Sequence, residues 1–278
     1  MKFGVNVINY GPATSAAGIA STVEWAESVG LSIAMLSDHV TVTPDVAQVY
    51  PERFYEPFTT LAWLAARTTR IQLGTTVVIV PYRHPLLIER MTAQLQEFAG
   101  GRLILGVGVG WARQEFAALG VPFQQRGRLT DAFLANLPEG HPPIWVGGHT
   151  EAAIRRAARF GDAWHPLNAS LEWLAAEGLP LLRASASEAG RPVPVFAPRI
   201  RVRIGAVAGT DRRPGQGSLE EIRQDLAALS ELGAEYAVLD TYQGDPASLT
   251  NLAALRQPIE LLLEQVIDAP GESLRRVT

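Results

Sequence analysis

Eight times along this chain a short, β-branched apolar run is followed by a longer amphipathic stretch. The apolar runs lie at residues 3–8, 32–36, 71–80, 102–108, 143–148, 162–166, 199–207 and 235–241. Helical periodicity follows at 16–29, 57–67, 86–98, 128–137, 150–160, 170–189 and 218–232, and in a last stretch ending near Val266. Several runs are apolar without alternation, the mark of strands covered on both faces of a parallel sheet. Right-handed crossovers then allow an open doubly wound sheet or a closed barrel. Eight units in 278 residues, with no obvious linker, favour the closed (β/α)8 barrel. One domain is expected over residues 1–268, with residues 269–278 as a loose tail.

Composition removes several classes of function. The net charge is −4, so nothing argues for a nucleic-acid partner or an anionic membrane surface. No cysteine is present, which excludes disulfides, thiolate metal sites and a cysteine nucleophile. No apolar run approaches the roughly 18 residues a membrane span needs. The opening "MKFGVNVINY" reads as a strand, not a signal peptide. A soluble cytoplasmic protein is expected. No His or carboxylate set has metal-ligand spacing, and no G-x-S-x-G is present.

A barrel carries its site at the C-terminal ends of its strands. Read there, the sequence gives Asn9 and Tyr10 after the first strand, Ser37, Asp38 and His39 after the second, and "PYRHP" beyond the third. The fourth ends in Gly106, Gly108 and Gly110 followed by Trp111, the fifth in "GGHT", and the sixth in Trp164 and His165. The glycine row does not fit the dinucleotide fingerprint, because its spacing is G-x-G-x-G and no acidic residue follows at a strand end. One such glycine would simply relieve crowding. Three of them before a tryptophan favour a flat ligand lying against the backbone. Gly147, Gly148 and Thr150 form either an ordinary capped turn or an anion site at a helix start, with even support. For Asp38 and His39 the simpler reading is a satisfied loop pair, and the functional one is a proton-moving pair at the barrel mouth. Arg199, Arg201 and Arg203 alternate, and pairing with acidic neighbours is favoured over contact with an anionic ligand.

Taken together, "SDHV", "LGTTVVIVPYRHP", "GGRLILGVGVGWARQEFAALGVPFQQRG", "PPIWVGGHTEAAIRRAARFGDAWHP" and "ELGAEYAVLDT" resemble the bacterial-luciferase-like family, and more narrowly its coenzyme F420-dependent oxidoreductases. The resemblance spans residues 1 to about 265. It implies a (β/α)8 barrel holding FMN or F420 at the strand C-termini, with His39 as acid/base and Asp38 beside it. It places a non-proline cis peptide at Thr76–Val77, ring contacts at Gly108, Val109, Gly110 and Trp111, and the cofactor phosphate at Gly147, Gly148, His149 and Thr150. The implied activity is hydride transfer between F420 and an unknown small organic substrate. An FMN-dependent monooxygenase and a non-catalytic flavin- or deazaflavin-binding protein are the alternatives. A homodimer is implied by the family alone. Two departures stand out. Sugar-phosphate dehydrogenases of the family carry glutamate where Trp111 stands, and the segment between strands four and five is shortened.

Overall fold

A computed structural model describes residues 1–205, 212–249 and 251–275. Its strands are β1 (Lys2–Val7), β2 (Ile33–Leu36), β3 (Gln72–Thr75, resuming at Val78–Ile79), β4 (Leu103–Gly108), β5 (Ile144–Gly147) and β6 (Ala163–His165). These are followed by β7 (Val195–Phe196 and Arg199–Arg201) and β8 (Tyr236–Asp240). All pair in parallel with their sequence neighbours, and β1 pairs β8. The ring closes through the two halves of β7. Val195–Phe196 pairs with β6, and Arg199–Arg201 pairs with β8. The architecture is the expected (β/α)8 barrel.

The helices are α1 (Ala16–Ser28), α2 (Pro57–Ala65), α3 (Pro85–Phe98), α4 (Arg126–Ala135), α5 (Glu151–Phe160), α6 (Leu179–Glu188), α7 (Leu219–Glu231) and α8 (Leu252–Gln265). Their starts are chemically marked. Ser15 caps α1, proline opens α2 and α3, and Ser218 with Glu221 forms a capping box on α7. None of the described helices is long and apolar enough to cross a membrane.

Side-chain alternation splits the core into two layers. Val5, Ala34, Leu36, Leu105 and Val107 face the helices. Ile33, Met35, Ile104, Trp145 and Val238 pack together inside the ring, where Trp145 meets Tyr236 edge-on at 4.9 Å. This filled floor carries the site above it.

The seventh strand departs from expectation. The seventh strand begins at Val195, not Arg199, and Arg203–Ile204 leaves the barrel to pair with Gln216–Gly217. The expected end of that strand, at 206–207, lies outside the described residues. Within the expected tail, Ser273–Leu274 pairs with Ile267–Asp268, and the Met1 ammonium donates to Glu272 O at 2.8 Å. Residues 276–278 lie outside the described residues. The short α4–β5 connection leaves a cleft of about 380 Å³ between α3 and α4, lined by Leu86, Leu129, Phe133 and Leu137.

Candidate active site

Opposite β4, strand β3 carries one extra residue. Gly74 pairs Ile104, whereas Val78 pairs Val107. The insertion is a bulge, and within it the Thr76–Val77 peptide is cis. The bulge explains the glycine row. A Cβ on Gly106 would lie 1.8 Å from Thr75 O, and one on Gly108 would lie 2.5 Å from Val77 Cγ2. A Cβ on Gly147 would reach Val77 Cγ1 at 2.9 Å. Gly110, at φ 78°, is crowded by Ile79 and Phe116. The neighbouring strand itself lies close against these glycines. Gly108 packs against Val77 and Gly110 against Ile79 and Phe116.

Above the floor, over β3 to β7, opens a cavity of about 600 Å³. Thr76, Val77, Val109 and Trp111 form part of its wall. Gly147, Gly148, His149 and Thr150 line another part. The Gly148 turn has φ 102°, and its carbonyl accepts from the Trp164 indole at 2.8 Å. Thr150 caps α5, its hydroxyl accepting from the Ala153 amide at 3.3 Å. Among the described residues, the Glu151 and Ala152 amides have no protein partner. They are the orphan donors of a helix start. The β1–β2–β8 side of the mouth is instead filled by Tyr10, Tyr50, Phe54 and Tyr242.

Beneath the cavity runs a buried polar chain that sequence reading missed. Arg199 donates to Asp240 Oδ2 through Nη2 at 2.7 Å, and to Thr76 O at 2.8 Å and Thr76 Oγ1 at 3.1 Å through Nη1. His165 Nδ1 sits 2.5 Å from Ala197 O and so carries the proton. Its Nε2 therefore accepts from Thr76 Oγ1 at 2.9 Å. Burial pushes the His165 imidazole down to about 4, and Arg199 adds to the shift against the Ala197 bond. Arg199 pairs with Asp240, as the favoured account of the strand-seven arginines expects, and it also lines the cavity. Arg203 is exposed.

Asp38 and His39 lie off the cavity wall. The Asp38 carboxylate is engaged by Arg83 at 2.7 and 2.8 Å and by the Ile79 amide at 2.9 Å. It therefore anchors the resumed half of β3. His39 Nδ1 lies 2.6 Å from Glu115 Oε2. Glu115 also accepts from Tyr82 at 2.8 Å, Val40 N at 2.7 Å and Thr41 N at 3.1 Å. Burial alone would raise the Glu115 carboxyl, but the bonds from His39, Thr41 and Tyr82 outweigh it and hold it below the ordinary range. The His39 ring packs against Tyr50, Phe54 and Trp111, with centroids 5.2, 5.3 and 5.7 Å away. Trp111, 46% exposed, touches both His39 and the cavity. The signal for Glu115 was present in "WARQEF", four residues past Trp111, but nothing local pairs it with His39.

A parallel barrel with a cavity at its strand C-termini is the architecture that barrel enzymes of many classes share. Residues 1–137 and 128–213 match the luciferase-like monooxygenase family, and the chain belongs to it. Among curated proteins it is similar to the phthiodiolone/phenolphthiodiolone dimycocerosates ketoreductase of Mycobacterium kansasii. The two are 28% identical over 258 residues, covering 79% of this chain and 70% of that one. Other curated relatives are covered over less of their length, for example 61% for an uncharacterized Mycobacterium bovis protein 29% identical over 177 residues. Among solved structures, an F420-dependent secondary alcohol dehydrogenase with an F420–acetone adduct superposes with a TM-score of 0.75. It is 14% identical, with 97% of this chain and 99% of that one covered. The oxygenating constituent of 3,6-diketocamphane monooxygenase from Pseudomonas putida, in complex with FMN, gives 0.68 at 16% identity, over 94% and 96%. The chain is a luciferase-like enzyme, and relatives of its fold use F420 or FMN.

Proposed function

We propose that this protein transfers hydride between coenzyme F420 and a small organic substrate. One observation carries the reading: a single cavity of about 600 Å³ joins the Thr76–Val77 bulge to the capped start of α5. Its size suits a planar ring with a phosphate-bearing side chain. The residues fit such a group. A Cβ on Gly148 would stand 3.0 Å from Ala153 Cβ, at a φ that L side chains rarely adopt, so the turn stays bare beside the free Glu151 and Ala152 amides. Bare amides at a helix start hold a phosphate.

When bound, F420 supplies two-electron hydride chemistry. The protein supplies orientation and a proton. Val77 and Thr76 present a fixed wall, held from beneath by Arg199 and His165. The ionised Glu115 fixes the tautomer of His39, so Nδ1 keeps its proton and Nε2 is the atom that accepts or returns one. The Trp111 indole, in contact with both His39 and the cavity, lies where the two meet. The ketoreductase relative and the alcohol dehydrogenase neighbour support a carbonyl/alcohol pair as the substrate. FMN-dependent monooxygenation is the second reading, since the phosphate turn serves either cofactor.

Titration of the purified protein with F420 and FMN, followed by F420 reduction with a panel of secondary alcohols, tests the assignment. Tighter F420 binding with turnover is expected. FMN binding with substrate-dependent oxygen uptake would transfer the chain to the monooxygenases. Binding of F420 without turnover across the panel would make it a carrier or sensor.

A further inference from the structure

One end of the cavity has more positive charge than a single phosphate turn explains. Arg126 and Arg156 both line it. The Arg126 guanidinium stacks 3.9 Å from the Phe123 ring centroid, and its buried Nε has no hydrogen-bond partner. Arg113 stacks on the same ring at 4.1 Å. Among the described residues neither Arg113 nor Arg126 is paired with a carboxylate. The Arg156 side chain is 8% exposed and bonds Asp131 Oδ1 through Nε at 2.5 Å. Its two Nη groups have no hydrogen-bond partner among the described residues. Arg156 Nη2 lies beside Gly127, where a Cβ would stand 3.4 Å from it. Three guanidinium groups therefore gather with one carboxylate, and the buried, unpartnered Nε of Arg126 calls for an acceptor such as an anion.

The arginines are separate from the α5 amides. Arg113 and Arg126 come from the β4–α4 connection and flank Phe123, whereas Arg156 lies beyond the first turn of α5. We infer that Arg126 and Arg156, with Arg113 behind Phe123, form a second anion subsite for an acidic group lying beyond the first phosphate of the bound cofactor. This rests on the cofactor reading above. The carboxylate-bearing tail of F420 and the second phosphate of FAD both have the required chemistry. FMN ends at one phosphate and has nothing to place there.

The test compares dissociation constants for F420 carrying a glutamate tail, the deazaflavin 5′-phosphate, FAD and FMN. Each is measured by fluorescence titration of the wild type, Arg126→Gln and Arg113→Gln. Arg113 is exposed, so that variant keeps its fold. Each variant is expected to weaken F420 about tenfold, the loss of one charged hydrogen bond or stacked cation, and to change the deazaflavin 5′-phosphate and FMN by under about twofold. The same selective loss with FAD but no F420 binding would keep the subsite and overturn the F420 assignment. Equal losses for all four ligands would show the arginines holding the first phosphate and overturn the subsite, as would no loss at all. A wild type that binds none of the four overturns both readings.

Discussion

His39 and Glu115, 76 residues apart in sequence, meet at 2.6 Å between Nδ1 and Oε2 in a buried contact beside the cavity. The carboxylate fixes which imidazole nitrogen keeps its proton, and so what the other nitrogen can do. Glu115 also ties the loop after β2 to the helix at Arg113–Ala118.

Glu115 makes stability depend on acid. Its folded pKa is depressed, so it contributes stability that is full above the unfolded value of about 4.3 and is lost as pH falls through the folded value. Glu115→Gln should cost about 1–3 kcal/mol at pH 7 and progressively less on acidification. Urea unfolding at pH 7 and pH 4 measures the difference. An undiminished cost at the lower pH contradicts an ionised Glu115.

His165 acts at a higher pH. Its imidazole is pushed down to about 4, so between about 6.5 and 4 the unfolded chain takes up a proton that the folded one refuses. Stability therefore falls as pH drops through that window, by about 3 kcal/mol. His165→Gln removes the titrating group and should flatten that part of the curve. Parallel pH profiles for the two proteins would show that His165 is not the source.

The buttress role of Gly108 is separable from ligand contact. Gly108→Ala should destabilise by about 1–3 kcal/mol, because its methyl meets Val77 Cγ2. Adding Val77→Ala removes that branch and should restore most of the loss. A thermal-melt double-mutant cycle reads the coupling, and additive losses would disprove the contact.

The Arg199–Asp240 pair is buried on both sides, with side chains 6% and 1% exposed. Arg199→Met strands the carboxylate and should cost about 3–5 kcal/mol. Asp240→Asn in the same background should recover part of it. Denaturation of the single and double variants checks this, and a cost under about 1 kcal/mol would mean the pair is already solvated.

The barrel was legible because each strand–helix unit announces itself within a few residues. Thr150 as a cap and the Gly147–Gly148 turn were legible for the same reason. The glycines of β4 were recognised as places of close approach, but the part that strand β3 plays in that approach was not. Spacing shows that room has been made but not which neighbour fills it. Asp38 was singled out by its neighbours in sequence, whereas its carboxylate is engaged by Arg83, which only folding brings to it.

By itself the sequence determined eight strands, their parallel order and the turns at their ends, because periodicity, capping and glycine act over one or two turns of chain. Tertiary structure alone decided that Arg199, His165, Arg126 and Arg156 face one cavity and that His39 is held by Glu115. Curvature and strand register set those meetings, and residues from opposite ends of the chain share no local signal. Closing the ring brings Arg199 to Thr76, across 123 positions of sequence.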